Sequence, residues 1–256
     1  MAKGIRKNAE FCWINMLTPQ PPQACEFFDK LLGWTYDEMP GLGFAIKAEG
    51  RHIGGLFDLE GPNTPPGLPP MIGVMVKVES ADATAAKVEA LGGRVSKPAF
   101  DIMDRGRMAV CHDPNGAQFD IWEPKKLQGT DVDSQVPGAP SWFETLTTDI
   151  DRATAFYVDL FGWTPEVQKT AEWSYTTFKL DGVPMAGMMA ITPDMETFPA
   201  HWGVYFTVTD VDQTAKLAAE FDAKLFVPPM DIPNVGRFCG ILSPQGVRFY
   251  AIQYTR

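Results

Sequence analysis

The chain repeats itself, and that constrains its fold more than any other feature. Trp13-Ile14-Asn15-Met16-Leu17-Thr18 is answered by Trp142-Phe143-Glu144-Thr145-Leu146-Thr147, and Phe27-Phe28-Asp29-Lys30-Leu31-Leu32-Gly33-Trp34 by Phe156-Tyr157-Val158-Asp159-Leu160-Phe161-Gly162-Trp163. Further on the spacing lengthens by a single residue. Asp101-Ile102 matches Asp231-Ile232, Gly106-Arg107-Met108 matches Gly236-Arg237-Phe238, Pro114-Asn115-Gly116 matches Pro244-Gln245-Gly246, and Phe119 matches Phe249. Self-similarity at a steady spacing marks a duplication, so each copy must follow one complete plan. Residues 9–124 are expected to form a first domain and 140–256 a second. Residues 125–139, polar and punctuated by Pro and Gly, read as the linker.

Within one copy the hydrophobic pattern is legible. Phe11 to Leu17 alternates, with Trp13, Asn15 and Leu17 on one face and Cys12, Ile14 and Met16 on the other, the pattern of a half-buried strand. Gln20 to Leu32 carries Ala24, Phe27, Phe28, Leu31 and Leu32 at helical spacing, and Gly33 follows as a helix stop. Trp34 to Tyr36, Gly43 to Ala48 and Ile53 to Leu59 read as strands. The order then recurs. A strand from Met71 to Val78 precedes a helix from Ala81 to Leu91, and strands follow at Arg94 to Pro98, Arg107 to Cys111 and Gln118 to Trp122. Asp113-Pro114-Asn115-Gly116 is the hairpin turn. Pro-rich residues 61–70, and their counterpart 192–200, connect the halves. One copy is therefore βαβββ twice over, an α+β fold, and the chain holds four such modules.

Composition narrows the partners. The 256 residues are 45% apolar and 21% charged, enough for a packed core. The net charge of -10 and pI of about 4.8 repel phosphate backbones and anionic lipid, so neither nucleic acid nor membrane is expected. No apolar run approaches the roughly 18–20 residues that span a bilayer. The basic start, Met1 to Lys7, is followed by Asn8, Ala9 and Glu10 rather than an apolar signal core. The four cysteines (Cys12, Cys25, Cys111 and Cys239) form no CxxC and do not recur between copies, which suits reduced structural thiols in the cytoplasm.

The order of elements, the Phe-Tyr…Gly-Trp helix exit and the Asp-Pro-Asn-Gly turn before a last strand resemble the vicinal oxygen chelate superfamily. It includes glyoxalase I, extradiol dioxygenases, and bleomycin and fosfomycin resistance proteins. The segments Pro98 to Met108 and Asp231 to Phe238 are similar to a tandem two-domain subgroup, glyoxalase- or hydroxylase-like, known from mycobacterial culture filtrate. The resemblance implies tandem glyoxalase-like domains, each a curved mixed sheet around a cavity. It also allows a monomer whose two domains pack as a fused dimer, or a homodimer. It says little of the reaction, because this fold hosts many chemistries.

Most enzymes of that superfamily hold a divalent metal through His, Glu or Gln on particular strands. Here the first such position holds Trp13 and Trp142, and the last holds Asp120 and Tyr250. The fifth strand opens near Met71 to Gly73 and His201 to Gly203. The fourth ends with Gly55 to Phe57 and Gly187 to Met189. One ligand per cavity is too few, since zinc takes about four and an oxygenase iron two His and a carboxylate. His52, His112 and His201 do not recur between copies. Neither metal nor other cofactor is expected.

If the strands alternate as read, Trp13, Asn15 and Leu17 face the first cavity with Gln118, Asp120 and Trp122. Trp142, Glu144 and Leu146 face the second with Arg248, Tyr250 and Ile252. Aromatic walls with a few polar groups suit a small, flat ligand; alternatively the tryptophans themselves fill the space. Glu144 and Asp120, in apolar surroundings, are candidates for a general acid or base, or for an ion pair such as Glu144 with Arg248 or Arg237. Arg107 and Arg237 recur and either clamp an anionic ligand or pin a loop to Asp101 and Asp231. His201 lies at a strand entrance, as a cavity residue or an exposed one. The leading expectation is a metal-independent small-molecule-binding protein. The alternatives are a metal-free lyase, isomerase or hydroxylation-related enzyme using Glu144 or Asp120, and a divalent-metal enzyme of glyoxalase or dioxygenase type.

Overall fold

A computed structural model describes residues 2–62, 64, 67–169, 174–192, 195 and 199–255. The connections 61–70 and 192–200 lie partly outside the described residues. The first repeat runs β1 (Phe11–Thr18), α1 (Pro21–Leu32), β2 (Thr35–Met39), β3 (Gly43–Ala48), β4 (Arg51–Asp58), β5 (Met71–Lys77), α2 (Ala81–Ala90), β6 (Arg94–Ile102), β7 (Gly106–His112) and β8 (Gln118–Pro124). The second runs β9 (Pro140–Thr147), α3 (Ile150–Phe161), β10 (Thr164–Lys169), β11 (Ser174–Leu180), β12 (Val183–Ala190), β13 (His201–Thr207), α4 (Val211–Glu220), β14 (Lys224–Ile232), β15 (Gly236–Leu242) and β16 (Arg248–Tyr254). The doubled βαβββ plan is therefore present in both repeats.

Each repeat forms a mixed eight-stranded sheet. The strand orders are β2-β3-β4-β1-β5-β8-β7-β6 and β10-β11-β12-β9-β13-β16-β15-β14. β1 runs parallel to β4 and β9 to β12, while the hairpins are antiparallel.

Local chemistry explains the element ends. α1 begins with Pro at its first positions, where a missing N–H costs nothing, and stops at Gly33 in the left-handed region at φ 67°. α3 is capped by Asp149, whose carboxylate accepts from the Arg152 N–H at 3.0 Å, and stops at Gly162. β6 extends past Pro98, where the sequence pattern broke off, to Ile102. It is an edge strand, and register shifts between Val95 and Lys97 and between Lys97 and Phe100 absorb the proline. β14 carries Pro228 and Pro229 in the same way, in the shift between Val227 and Met230.

The compact units are not the repeats. One unit joins residues 1–13, 73–129 and 142–203, so it takes the second half of the first repeat and the first half of the second. In it Phe11 stacks on Phe143 at 4.0 Å, and Phe119 meets Phe156 and Tyr157 edge-on. The buried Tyr157 hydroxyl donates to Asp113 of the hairpin turn and accepts from the Trp202 indole, each at 3.0 Å. The other unit joins residues 14–72, 130–141 and 204–256. There α1 packs on α4, with Phe28 against Phe249 and Trp34 against Phe206.

The linker is bound down rather than free. In the first unit Gly129 lies so close to Cys12 that a Cβ would stand 2.8 Å from its side chain, and Lys77 donates to the Gln128 carbonyl. In the second unit Val132 and Ala139 are buried, and Thr207 donates to the Ser134 carbonyl. Among the described residues no helix is long and apolar enough to cross a membrane.

Candidate functional site

On the second sheet, β9, β11 and β12 bring three side chains together within the first unit. The Trp142 indole donates to the Tyr175 hydroxyl at 3.0 Å, and that hydroxyl donates to Glu144 Oε2 at 2.7 Å. Glu144 is buried, with 6% of its surface exposed, while Trp142 and Tyr175 are half-buried. The arrangement depends on Gly187, which faces Glu144 across β9 and β12. A Cβ there would collide with the Tyr175 hydroxyl and stand 3.0 Å from the Trp142 nitrogen. The bond from the phenol holds the carboxyl group in one orientation.

The second unit carries an aromatic group on β13 to β16. Tyr205 and Tyr250 are register partners whose rings stack at 4.3 Å and 10°. Phe238 lies 5.9 Å from Tyr205, and Phe226 meets Tyr250 edge-on. Arg248 sits over the Phe226 ring. Burial lowers the Arg248 pKa, partly offset by Tyr250, yet the guanidinium stays charged at neutral pH.

The remaining predicted residues fall elsewhere. Trp13 packs against Cys12, Met75 and Trp122 in the first unit. Trp122 is buried and gives its indole N–H to the Leu127 carbonyl of the linker at 2.9 Å. Asn15 pairs in register with Gly55, over which the Phe57 ring lies. Asp120 is buried beside Met75 and Val110 in the ladder. His201 Nδ1 lies 2.9 Å from the Pro199 carbonyl. Arg237 bonds both oxygens of Asp212 at 2.9 Å and Asp231 at 3.0 Å. Arg107 repeats this with Asp82, at 2.7 and 2.9 Å, and approaches Asp101. Both arginines thus tie a β-hairpin to the first turn of a helix.

Tyr175, Phe226 and Gly240 went unread in the sequence, and Gly187 was read only as a fourth-strand position without a ligand. Tyr175 carried a usable signal, since it alternates with Thr177 on a strand. The glycines carried none without knowledge of which ring lies above them.

The donor set does not fit a divalent metal. Among the described residues no three His, Cys, Asp or Glu side chains lie close enough to hold one. Gly55 and Gly187 offer no side chain, and Trp13 and Trp142 offer no lone pair. Burial pushes the Cys12 and Cys111 thiols up to about 12 and Cys239 to about 11, so these are poor nucleophiles at neutral pH.

The family model of the Glyoxalase/Bleomycin resistance protein/Dioxygenase superfamily matches residues 11–121 and again 140–250. The chain is 34% identical to a Mycobacterium bovis protein named "Putative glyoxylase CFP32", over 94% of this chain and 93% of that one. It is 29% identical to the anthracycline biosynthesis protein DauV of a Streptomyces species, over 94% and 92%. Its fold resembles the Mn(II)-bound glyoxalase of Novosphingobium aromaticivorans, with TM-score 0.68 and 15% identity, covering 96% of this chain and 82% of that one.

Proposed function

The chain belongs to the glyoxalase/bleomycin resistance protein/dioxygenase superfamily, and we propose that within it this protein binds a planar or reactive metabolite without a metal ion, through the second repeat. The observation that carries this reading is the Trp142–Tyr175–Glu144 chain. Where a metal enzyme of this fold needs ligands, the second repeat has an indole, and a phenol holds the nearby buried carboxylate. A carboxylate so oriented accepts a hydrogen bond from a ligand hydroxyl or amine. One relative's name ties it to anthracycline biosynthesis, which supports a secondary metabolite as ligand.

The test is a thermal-shift screen of metabolites and of Ni, Zn, Fe and Mn, with metal analysis of the purified protein. A ligand at about 100 times its Kd adds on the order of 2.7 kcal/mol. The expected result is stabilisation by a flat metabolite, none by metals, and well under one metal per repeat. A full equivalent of metal overturns the reading. Glu144→Gln separates binding from catalysis: lost affinity fits a binder, while retained affinity with lost turnover makes Glu144 an acid or base.

A further inference from the structure

The repeats differ at one coupled pair of positions. Phe226 and Gly240 in the second stand where the first has Ser96 and Val110. Both positions sit at the same bulge. Leu225 pairs with Ile241 and Val227 with Gly240, leaving Phe226 out of the ladder, just as Ser96 is left out between Val95 and Lys97. Freed by the bulge, the Phe226 ring folds down over Gly240. A Cβ on Gly240 would stand 2.7 Å from the ring. Tyr250 walls the ring at 5.4 Å and 71°, and Arg248 covers it with Cζ 5.1 Å from the centroid. In the first repeat Val110 puts a side chain on that floor, and Ser96 merely donates to the Val110 carbonyl at 3.2 Å.

Phe226 is thus a ring inside an aromatic recess, yet it is 36% exposed and sits on the edge strand of the sheet. We propose that the recess, which lies wholly within the second unit, is a site for one flat, electron-rich aromatic ring, and that Phe226 is its displaceable plug. The recess has what such a ring needs: a floor without a side chain, an aromatic edge from Tyr250, and a cation over the face from Arg248. The inference goes beyond the proposed function, because it concerns a site of the second unit alone and names the chemistry of what that site takes.

The probe is 2-naphthol, titrated calorimetrically into wild type, Phe226→Ala, Phe226→Ser and Gly240→Ala, with decahydro-2-naphthol as the saturated control. Removing the plug should tighten 2-naphthol about tenfold, the scale of one aromatic pair, and leave the saturated alcohol unchanged. Gly240→Ala should abolish binding by raising the floor. Phe226→Ser restores the first repeat's residue and serves if the alanine variant folds poorly. Unchanged or weaker 2-naphthol binding in both Phe226 variants overturns the proposal, and so does an equal gain for the saturated control. The same titration in a Glu144→Gln background separates the two readings. If the gain survives there while no metabolite stabilises wild type, the recess stands and the wider function fails. If metabolites stabilise wild type but plug removal gains nothing, only the plug fails.

Discussion

The Trp163 indole nitrogen donates to the Ala9 carbonyl at 2.9 Å, tying the helix exit of the second repeat to the segment before β1 of the first. Trp34 does the reciprocal, donating at 2.7 Å to Gly138, just before β9. Both indoles are buried. The Gly-Trp pair that ends each first helix therefore grips the other repeat's entry.

Trp163→Phe and Trp34→Phe keep the aromatic packing but leave a carbonyl without its donor. Each should cost about 1–3 kcal/mol, the penalty for an unmet buried polar group. Urea denaturation measures it. A loss below about 0.5 kcal/mol in both would mean that water replaces the indole without penalty.

Either repeat expressed alone should fail to remain a folded monomer. Each compact unit draws one half from each repeat, so an isolated repeat exposes Phe28, Trp34 and Phe119 or their counterparts. The expected species is a homodimer in which a second copy supplies the missing halves, visible by light scattering. A stable, cooperatively folding monomer would contradict this.

Gly187→Ala should weaken ligand binding far more than it affects folding. The backbone accommodates alanine, but the new methyl displaces Tyr175 from Glu144. Tyr175→Phe tests the same bond by removing the hydroxyl. A loss of about tenfold in affinity, or ~1.4 kcal/mol, with Tm little changed is the expected outcome for both. Unaltered affinity in both would remove this trio from the binding site.

Burial, reinforced by Arg94, lowers the His112 pKa from 6.5 to about 4. A depressed base binds its proton more weakly in the folded state than in the unfolded chain. Its contribution to stability is therefore present above pH 6.5 and is lost as pH falls from 6.5 towards about 4. Replacing His112 with Gln should flatten the decline of Tm across that window. NMR titration of the imidazole gives the pKa directly, and an ordinary value near 6.5 would refute the account.

Much of the scaffold was legible because local rules and duplication agreed. Asp149, Gly33 and Gly162 act as caps and stops where their residue types say they should. The Asp-Pro-Asn-Gly turn lies where read, and its Asp113 carboxylate accepts from the Asn115 and Ala117 amides. The hydrogen-bonded trio on the second sheet was legible only in part. Alternation put Trp142 and Glu144 on one face of β9, but their partner Tyr175 comes from β11, a strand reached only by threading the sheet order β11-β12-β9. Arg237 looked equally available in sequence, and only its distances to Asp212 and Asp231 show what engages it.

The sequence by itself determined the number of modules and the type of each element. Those follow from periodicity and turn chemistry, which act over a few residues. Tertiary structure decided which halves share a core, and which ring settles over Gly187, Gly55 or Gly240. These outcomes depend on packing between segments far apart in the chain, where a missing Cβ matters only once another residue's ring arrives to use the space.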